Sequence, residues 1–544
     1  MSEWWRGAVI YQIYPRSYQD SNGDGVGDLQ GIASRLPYVA SLGVDAIWLS
    51  PIFTSPMKDM GYDVSNYVDI DPLFGTLEDF DNLIAVAHEL GLKVIVDQVL
   101  SHSSEKHEWF ADSRRDRTND KADWYVWADP NPDGTPPNNW PSVFGSTAWE
   151  WEPRRRQYYL HNFLIEQPDL NVHNPDVQDA LLDAMRFWLD RGVDGFRLDT
   201  VNFYFHDTEL RDNPPNPDMG PDNTPSETYG WQYHKFSKNR PENIPFLERM
   251  RALTDEYGAR MMVGEVGDSG ETGIKIMGEY TEGDGRLHMC YNFEMLGPNF
   301  SAGHFRNIIE TFQIGAPEGW PSWSFSNHDV CRHVTRWVEH CEAPDALAKQ
   351  AVAMLMSFEG TIGIYQGEEL ALPETEMEYH ELTDPPGLRF WPEVKGRDGC
   401  RTPMVWEEGS ANGGFGDAKP WLPVKAPQLA RAVDTQNNVE DSVLNAYRQT
   451  IAYRKGSSAL MEGRTEFIDM DEPVLAFHRI AAGQTLTCIF NLSPKPVELT
   501  VEGQATCVGP LQAAEYSTGS LKLGANGFVY LETAGELPKL GMNA

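Results

Sequence analysis

GVDGFRLDTV, residues 192–201, is a short apolar run that carries charge at its end. Phe196 and Leu198 alternate with Arg197 and Asp199, and Gly192 and Gly195 mark the lead-in. Burying charge is costly unless each charge has a partner or a task. The run therefore reads as a buried strand that delivers a carboxylate at its end, with an arginine beside it and Thr200 just after.

Working outward, seven more β-rich runs accompany it. In chain order the eight are AVIYQIYP, DAIWLSP, KVIVDQV, DGFRLDT, RMMVGEV, LHMCYNFE, WSFSNHD and TIGIYQGEE. Amphipathic helical patterns such as LEDFDNLIAVAHELG and DVQDALLDAMRFWLDRG lie between several of them. Eight strands alternating with helices predict an α/β fold, a parallel (β/α)8 TIM barrel. In that architecture the polar strand ends share one rim, where active sites form.

Two stretches interrupt the alternation. Residues 103–170 are rich in Trp, Asp, Pro and Asn and too long for a simple loop. They read as a subdomain inserted after the third strand. Residues 368–425 form an irregular insertion after the eighth strand. From about residue 459 to 544 the texture changes to short alternating runs with Gly-rich turns, as in PVLAFHRI and QTLTCIFNLS. This predicts a C-terminal antiparallel β-domain, a sandwich. The barrel is thus assigned to residues 1–102 and 171–458.

The formal net charge is −37, from 81 acidic against 44 basic residues. Nucleic acids and anionic membranes recruit basic surface, so the balance argues against both as partners. It suits a neutral substrate. The N-terminus lacks the basic and apolar regions of a signal peptide, and no apolar run has the length of a membrane span. The six cysteines show neither metal-ligand spacing nor a dense disulfide framework. Reduced thiols in the cytoplasm are the expectation.

The chemistry gathers at the strand ends. Asp97 ends the third strand and His102 follows it. Arg197 and Asp199 end the fourth, Glu265 the fifth, and His328 and Asp329 the seventh. Like charges crowded at one site need a reason. A retaining glycoside hydrolase supplies one, with a carboxylate nucleophile and a carboxyl acid/base about 5–5.5 Å apart. Adjacent strands lie about 4.8 Å apart, so Asp199 and Glu265 on neighbouring strands suit that spacing. Arg197 is expected to hold Asp199 ionised. Glu265 is expected to start protonated beside its anionic neighbours.

Read with these blocks, the sequence resembles the α-amylase superfamily, glycoside hydrolase family 13. DQVLSH (97–102), GFRLDT (195–200), GEV (264–266) and SNHD (326–329) carry the resemblance, in register and in order. QPDLN (167–171), KDMGYD (58–63) and GRDGCRTPM (396–404) resemble its oligo-1,6-glucosidase and α-glucosidase branch. The resemblance implies Asp199 as nucleophile, Glu265 as acid/base and Asp329 as transition-state stabiliser. It places Arg197, His102 and His328 at the first glucose subsite. Asp59 and Arg397, with Arg401 as the competing arginine, would grip the non-reducing-end hydroxyls. Tyr62 would stack on the glucose ring, and Phe144 and Phe163 would wall the pocket. Thr200 would face the second sugar, where threonine accompanies α-1,4 preference in this branch and valine α-1,6. Ser101 stands where many relatives carry Asn, so this block does not carry over an amylase-type calcium site between barrel and insertion.

DSNGDGVGDL (20–29) alternates Asp20, Asn22 and Asp24 as a calcium loop does, but Gly31 occupies the twelfth position where an EF-hand has Glu. The resemblance implies a structural Ca²⁺ or Mg²⁺ here, completed by Asp28 and the Val26 carbonyl. No catalytic cofactor is expected.

Blander readings exist for each group taken alone. Arg197 and Asp199 are compatible with a structural ion pair, His102 with a satisfied core histidine, Tyr62, Phe144 and Phe163 with packing, and Asp59 with a solvated loop charge. Together the blocks favour an exo-acting α-glucosidase on short α-glucosides, maltose first and sucrose as a second substrate. A sucrose isomerase, a transglucosylase or an oligo-1,6-glucosidase would share the framework. A trehalose-phosphate hydrolase would need basic groups for its phosphate. A binding protein without catalysis would have lost the carboxylates, which are present here.

Overall fold

The structure is a computed structural model that describes residues 3–220, 227–533 and 535–542. Eight parallel strands form one sheet: β1 Val9–Ile13, β2 Ala46–Leu49, β3 Lys93–Gln98, β4 Gly195–Leu198, β5 Met261–Val266, β6 Met289–Asn292, β7 Ser322–Ser324 and β8 Thr361–Tyr365. Their order is β6-β5-β4-β3-β2-β1-β8-β7. A parallel bridge from Cys290 in β6 to Pro321, just before β7, closes the ring. Each of the eight expected runs supplies one strand. Continuous apolar runs such as VIYQI in β1 are buried on both faces, as parallel strands under helices require.

The helices between strands are set by local signals. Thr76 and Asp79 make a reciprocal capping box at helix Leu77–Glu89. Asn174 caps helix Pro175–Asp190, whose first residue is a proline placed where no amide donor is needed. Trp188 on that helix is fully buried and stacks on Phe53 at 4.7 Å.

Between β3 and helix Pro175–Asp190 the chain builds a small three-stranded antiparallel sheet from Trp127–Ala128, Gln157–Leu160 and Trp149–Glu152. A bridge from His102 to Asp169 ties the two ends of this excursion together. The excursion overhangs the C-terminal rim of the barrel. Residues 368–425 contain short helical turns and no strand among the described residues. After helices Val443–Gly456 and Ser458–Glu462, seven antiparallel strands from Arg464 to Met542 form a second sheet. Its first strand therefore starts a few residues after the change in sequence texture near residue 459.

Candidate active site

The barrel register sets the site. In the β4–β5 pair Leu198 faces Gly264, so the next residues, Asp199 and Glu265, emerge side by side. In the β3–β4 pair Asp97 faces Arg197. Arg197 is fully buried and its guanidinium reaches three carboxylates: Asp97 at 2.8 Å, Asp199 at 2.6 Å and Glu265 at 2.7 Å. The Tyr291 hydroxyl lies 3.2 Å from Glu265 and 3.1 Å from Arg197.

These strand ends open into a cavity of about 380 Å³. Asp59, Tyr62, His102, Phe144, Phe163, Asp199, Thr200, Glu265, Asp329 and Arg397 all line it. Arg197, His328 and Arg401 stand one layer behind. The neutral His328 ring lies parallel to Tyr62 at 5.4 Å, with Nε2 2.5 Å from the Tyr62 hydroxyl and Nδ1 2.7 Å from Gln12 Nε2. Arg401 is fully buried, donating to the His328 carbonyl at 2.7 Å and to Asp329 at 3.0 Å.

Arg397 faces the cavity instead. It donates to Asp59 at 2.9 Å, Asp329 at 3.2 Å and Asp384 at 2.7 Å, and lies over the Phe144 ring. Of the two competing arginines it is the one in the wall. The inserted segment presents Phe144 and Phe163 because its backbone is pinned: Val143 donates to the Asn162 carbonyl at 2.7 Å and Ser142 Oγ to the Phe163 carbonyl at 2.5 Å.

The site is electrostatically divided. Burial pushes Glu265 up to about 7, with Asp199 and Asp329 adding to the rise and Arg197 opposing it. Burial likewise pushes Asp199 up to about 7 against the pull of Arg197, and Asp97 to about 6. Arg197 is thus shared among three acids and does not hold Asp199 ionised single-handed. Both carboxyls therefore hold their protons well above the usual carboxylate range, and both are linked through Arg197. Asp329 is different: burial opposes its charge, but the Arg397 and Arg401 guanidiniums, with Arg197 behind them, outweigh burial and hold its carboxyl well below the usual range. His102 is lowered to about 4 by burial, so it is neutral at neutral pH.

Thr200 adopts a left-handed backbone conformation, φ 41° and ψ 47°. For a β-branched residue that is strained. It is held there while its amide donates to Glu265 Oε2 at 3.0 Å.

Several lining residues lie outside the sequence reading: Val143, Phe203, Tyr229, Asp268 and Phe293. Asp268 ends the run VGEVGD three residues after Glu265, a signal available in the sequence. It accepts from Asn202 at 2.8 Å and Asn239 at 2.9 Å. Asp384, the buried partner of Arg397, gives no comparable signal.

The loop expected to hold a cation has only oxygen donors, the set a hard cation takes. Asp20 accepts the amides of Gly23 and Gly25, Asn22 that of Asp24, and Asp24 that of Val26. Asp28 caps helix Leu29–Ser41 by accepting the Gly31 amide at 2.7 Å. The Asp20 and Asp24 carboxylate oxygens accept one hydrogen bond each and keep a further lone pair, as does Asp28 Oδ2, while Asp28 Oδ1 already accepts from Ser21 and Gly31; the donor chemistry fits through the former. Among the described residues, no three His, Cys, Asp or Glu side chains are already drawn together at metal distance.

Residues 12–463 match the family model "Alpha amylase, catalytic domain". The chain is 58% identical over 498 residues to the "Probable alpha-glucosidase" of Rhizobium meliloti (strain 1021), covering 90% of each chain. It is 37% identical over 538 residues to an "Oligo-1,6-glucosidase" of Heyndrickxia coagulans, covering 91% of this chain and 93% of that one. Among solved structures, the alpha-glucosyl transfer enzyme XgtA superposes with a TM-score of 0.94 at 53% identity, covering 98% of this chain and all of that one.

Proposed function

The chain belongs to the alpha-amylase family, and from that premise we propose that it is a retaining, exo-acting α-glucosidase that releases glucose from the non-reducing end of short α-glucosides. The observation that carries this reading is the placement of Asp199 and Glu265 on adjacent strand ends at the base of one cavity, joined through Arg197. The high identity to an alpha-glucosidase supports it.

In the proposed cycle Asp199 attacks the anomeric carbon while Glu265 gives its proton to the glycosidic oxygen. The leaving sugar departs and a covalent β-glucosyl–Asp199 ester remains. Glu265, now ionised, takes a proton from water, whose oxygen attacks the anomeric carbon, breaks its bond to Asp199, releases that carboxylate and returns the α-configuration. Asp329, already anionic, binds sugar hydroxyls and stabilises the positive charge that develops at the ring. Tyr62 supports the glucose face. Asp59 and Arg397 hold the terminal hydroxyls and close that end to a polymer.

Five carboxylates and a single arginine line the cavity, which favours neutral glucosides over phosphorylated ones. Thr200 lines the cavity beside the nucleophile, its Oγ1 3.3 Å from Asp199 Oδ2. Its hydroxyl would contact the second sugar of an α-1,4 substrate. Losing such a contact costs about 1–3 kcal/mol when a buried group is left unpaired, one to two orders of magnitude in preference. Maltose should lead isomaltose, and Thr200→Val should narrow or reverse the gap.

A second reading is transfer of glucose from the same ester to a sugar hydroxyl in place of water, which the likeness to a glucosyl transfer enzyme favours. Incubation with maltose, sucrose, isomaltose and trehalose, with products separated by chromatography, tests both. Glucose as the new product means hydrolysis, larger products mean transfer, and no product overturns the enzyme reading. We also propose a structural Ca²⁺ or Mg²⁺ held by the Asp20, Asn22, Asp24 and Asp28 side chains and the Val26 carbonyl. A cytoplasmic location is supported by six cysteines that remain free thiols. No described helix is long and apolar enough to cross a membrane.

A further inference from the structure

Ser101 is buried and does not line the cavity, yet its hydroxyl lies 3.0 Å from Thr200 Oγ1 and 2.9 Å from His102 Nδ1. The direction of these two hydrogen bonds follows from groups further back. His102 Nε2 lies 3.0 Å from the Tyr62 carbonyl oxygen, which can only accept. Among the described residues no other donor reaches that carbonyl, and a buried carbonyl is rarely left unpaired. Gln167 Nε2 also approaches, at 3.1 Å, and only one of its two amide protons is taken, by Asp59 at 3.1 Å, while its Oε1 accepts the Leu164 amide at 2.9 Å. The tautomer is assigned on the Tyr62 carbonyl, which among the described residues has no other donor. Nε2 therefore carries the single proton of the neutral imidazole, and Nδ1 offers a lone pair.

The rest is forced. Ser101 must give its one proton to His102 Nδ1. Its oxygen is then an acceptor toward Thr200. The Thr200 proton goes to Ser101 at 3.0 Å or to Asp199 Oδ2 at 3.3 Å, and in either case stays within the protein. We infer that Ser101 is a positioning residue for linkage preference: through the chain Tyr62–His102–Ser101–Thr200 it turns Thr200 into a hydrogen-bond acceptor toward the second sugar. The favoured substrates are α-glucosides whose second unit presents a hydroxyl donor to Thr200. This rests on the proposed α-glucosidase reading and on Thr200 as its selector.

The test is the ratio of kcat/KM for maltose to that for isomaltose in wild type, Ser101→Ala, Ser101→Thr and Thr200→Val. Any disturbance of His102 acts on the glucose shared by both substrates and cancels in the ratio. Ser101→Ala should lower the ratio by up to about tenfold, toward that of Thr200→Val, because the Thr200 proton then keeps only the longer contact to Asp199 Oδ2 at 3.3 Å and can turn to the sugar. Ser101→Thr, which keeps the hydroxyl, should hold it. Maltosides in which each hydroxyl of the second unit is replaced in turn by fluorine, which cannot donate, probe the polarity without any change to the protein fold. One position should cost wild type about tenfold and Thr200→Val little. An unchanged ratio in Ser101→Ala beside a changed one in Thr200→Val overturns the role of Ser101 and leaves Thr200 as selector. An unchanged ratio in both removes the selector and this inference together. Fluorine tolerated at every position overturns the acceptor assignment.

Discussion

Arg397 Nη2 donates to Asp59 Oδ1 at 2.9 Å, joining the irregular segment after the eighth strand to the loop after the second. The same guanidinium reaches Asp329, so one cation links the wall of the cavity to a carboxyl that its charge helps hold below the usual range. Arg401 touches Asp329 as well but from behind, where no substrate reaches it.

The two arginines should therefore fail differently. Arg397→Ala is expected to lower kcat/KM for maltose by about a hundredfold or more, largely through KM, because a charged hydrogen-bonding partner of the sugar is lost. Arg401→Ala should instead destabilise the fold by about 3–5 kcal/mol, as removal of one partner from a buried charge pair does. Steady-state kinetics and calorimetric melting on both variants separate the cases. Near-normal KM in Arg397→Ala would remove it from the glucose site.

Glu265→Gln should abolish hydrolysis while stabilising the protein at neutral pH. The folded-state value of Glu265 is raised from 4.5 to about 7 by burial. A raised acid contributes its full stability only below its unfolded value and loses it as pH climbs through the folded one. The variant cannot ionise, so its melting temperature should gain on wild type between about pH 5 and pH 8, by the equivalent of about 1–3 kcal/mol. A gap that is constant with pH would contradict the assignment.

Asp199→Asn removes the proposed nucleophile and keeps its shape. Turnover should fall by at least about a thousandfold, with no loss in melting temperature since the Asp199 charge is itself disfavoured by burial. Near-normal turnover would point to another group.

For the proposed cation, millimolar Ca²⁺ or Mg²⁺ should raise the melting temperature of protein treated with a chelator. At a hundred times Kd the gain is about 2.7 kcal/mol. Asp24 is exposed and caps nothing beyond its own loop, so Asp24→Ala should fold and lose the response. An equal shift in that variant would place the ion elsewhere.

Much of this was legible in the sequence because the barrel writes itself locally. The run ending in Asp199 and its seven companions each became a strand, since an apolar stretch between two helical patterns has few other places to go. Strand-end residues were legible for the same reason: once the barrel is assumed, Asp199, Glu265 and Asp329 must share a rim. What depends on long excursions was not. Tyr229 reaches the cavity from a short turn in a long excursion with no periodicity, whereas Phe293, at the end of the sixth strand, was within reach of the same rim argument. Asp384 is paired with Arg397 by the path of an irregular segment. Ser101 reads in the sequence as an absent asparagine, and its contact with Thr200 emerges only when β3 and β4 lie side by side. The sharing of Arg197 among three carboxylates is likewise a property of burial and register, and the residues alone suggested a simpler pair.

The most direct test of the account is proton NMR of the first glucose released from 4-nitrophenyl α-glucoside, followed faster than the anomers interconvert. The pairing of Asp199 and Glu265 predicts that α-glucose forms first and β-glucose grows in only by mutarotation. β-Glucose as the first product would mean direct attack by water, and the covalent ester on Asp199 would have to be abandoned.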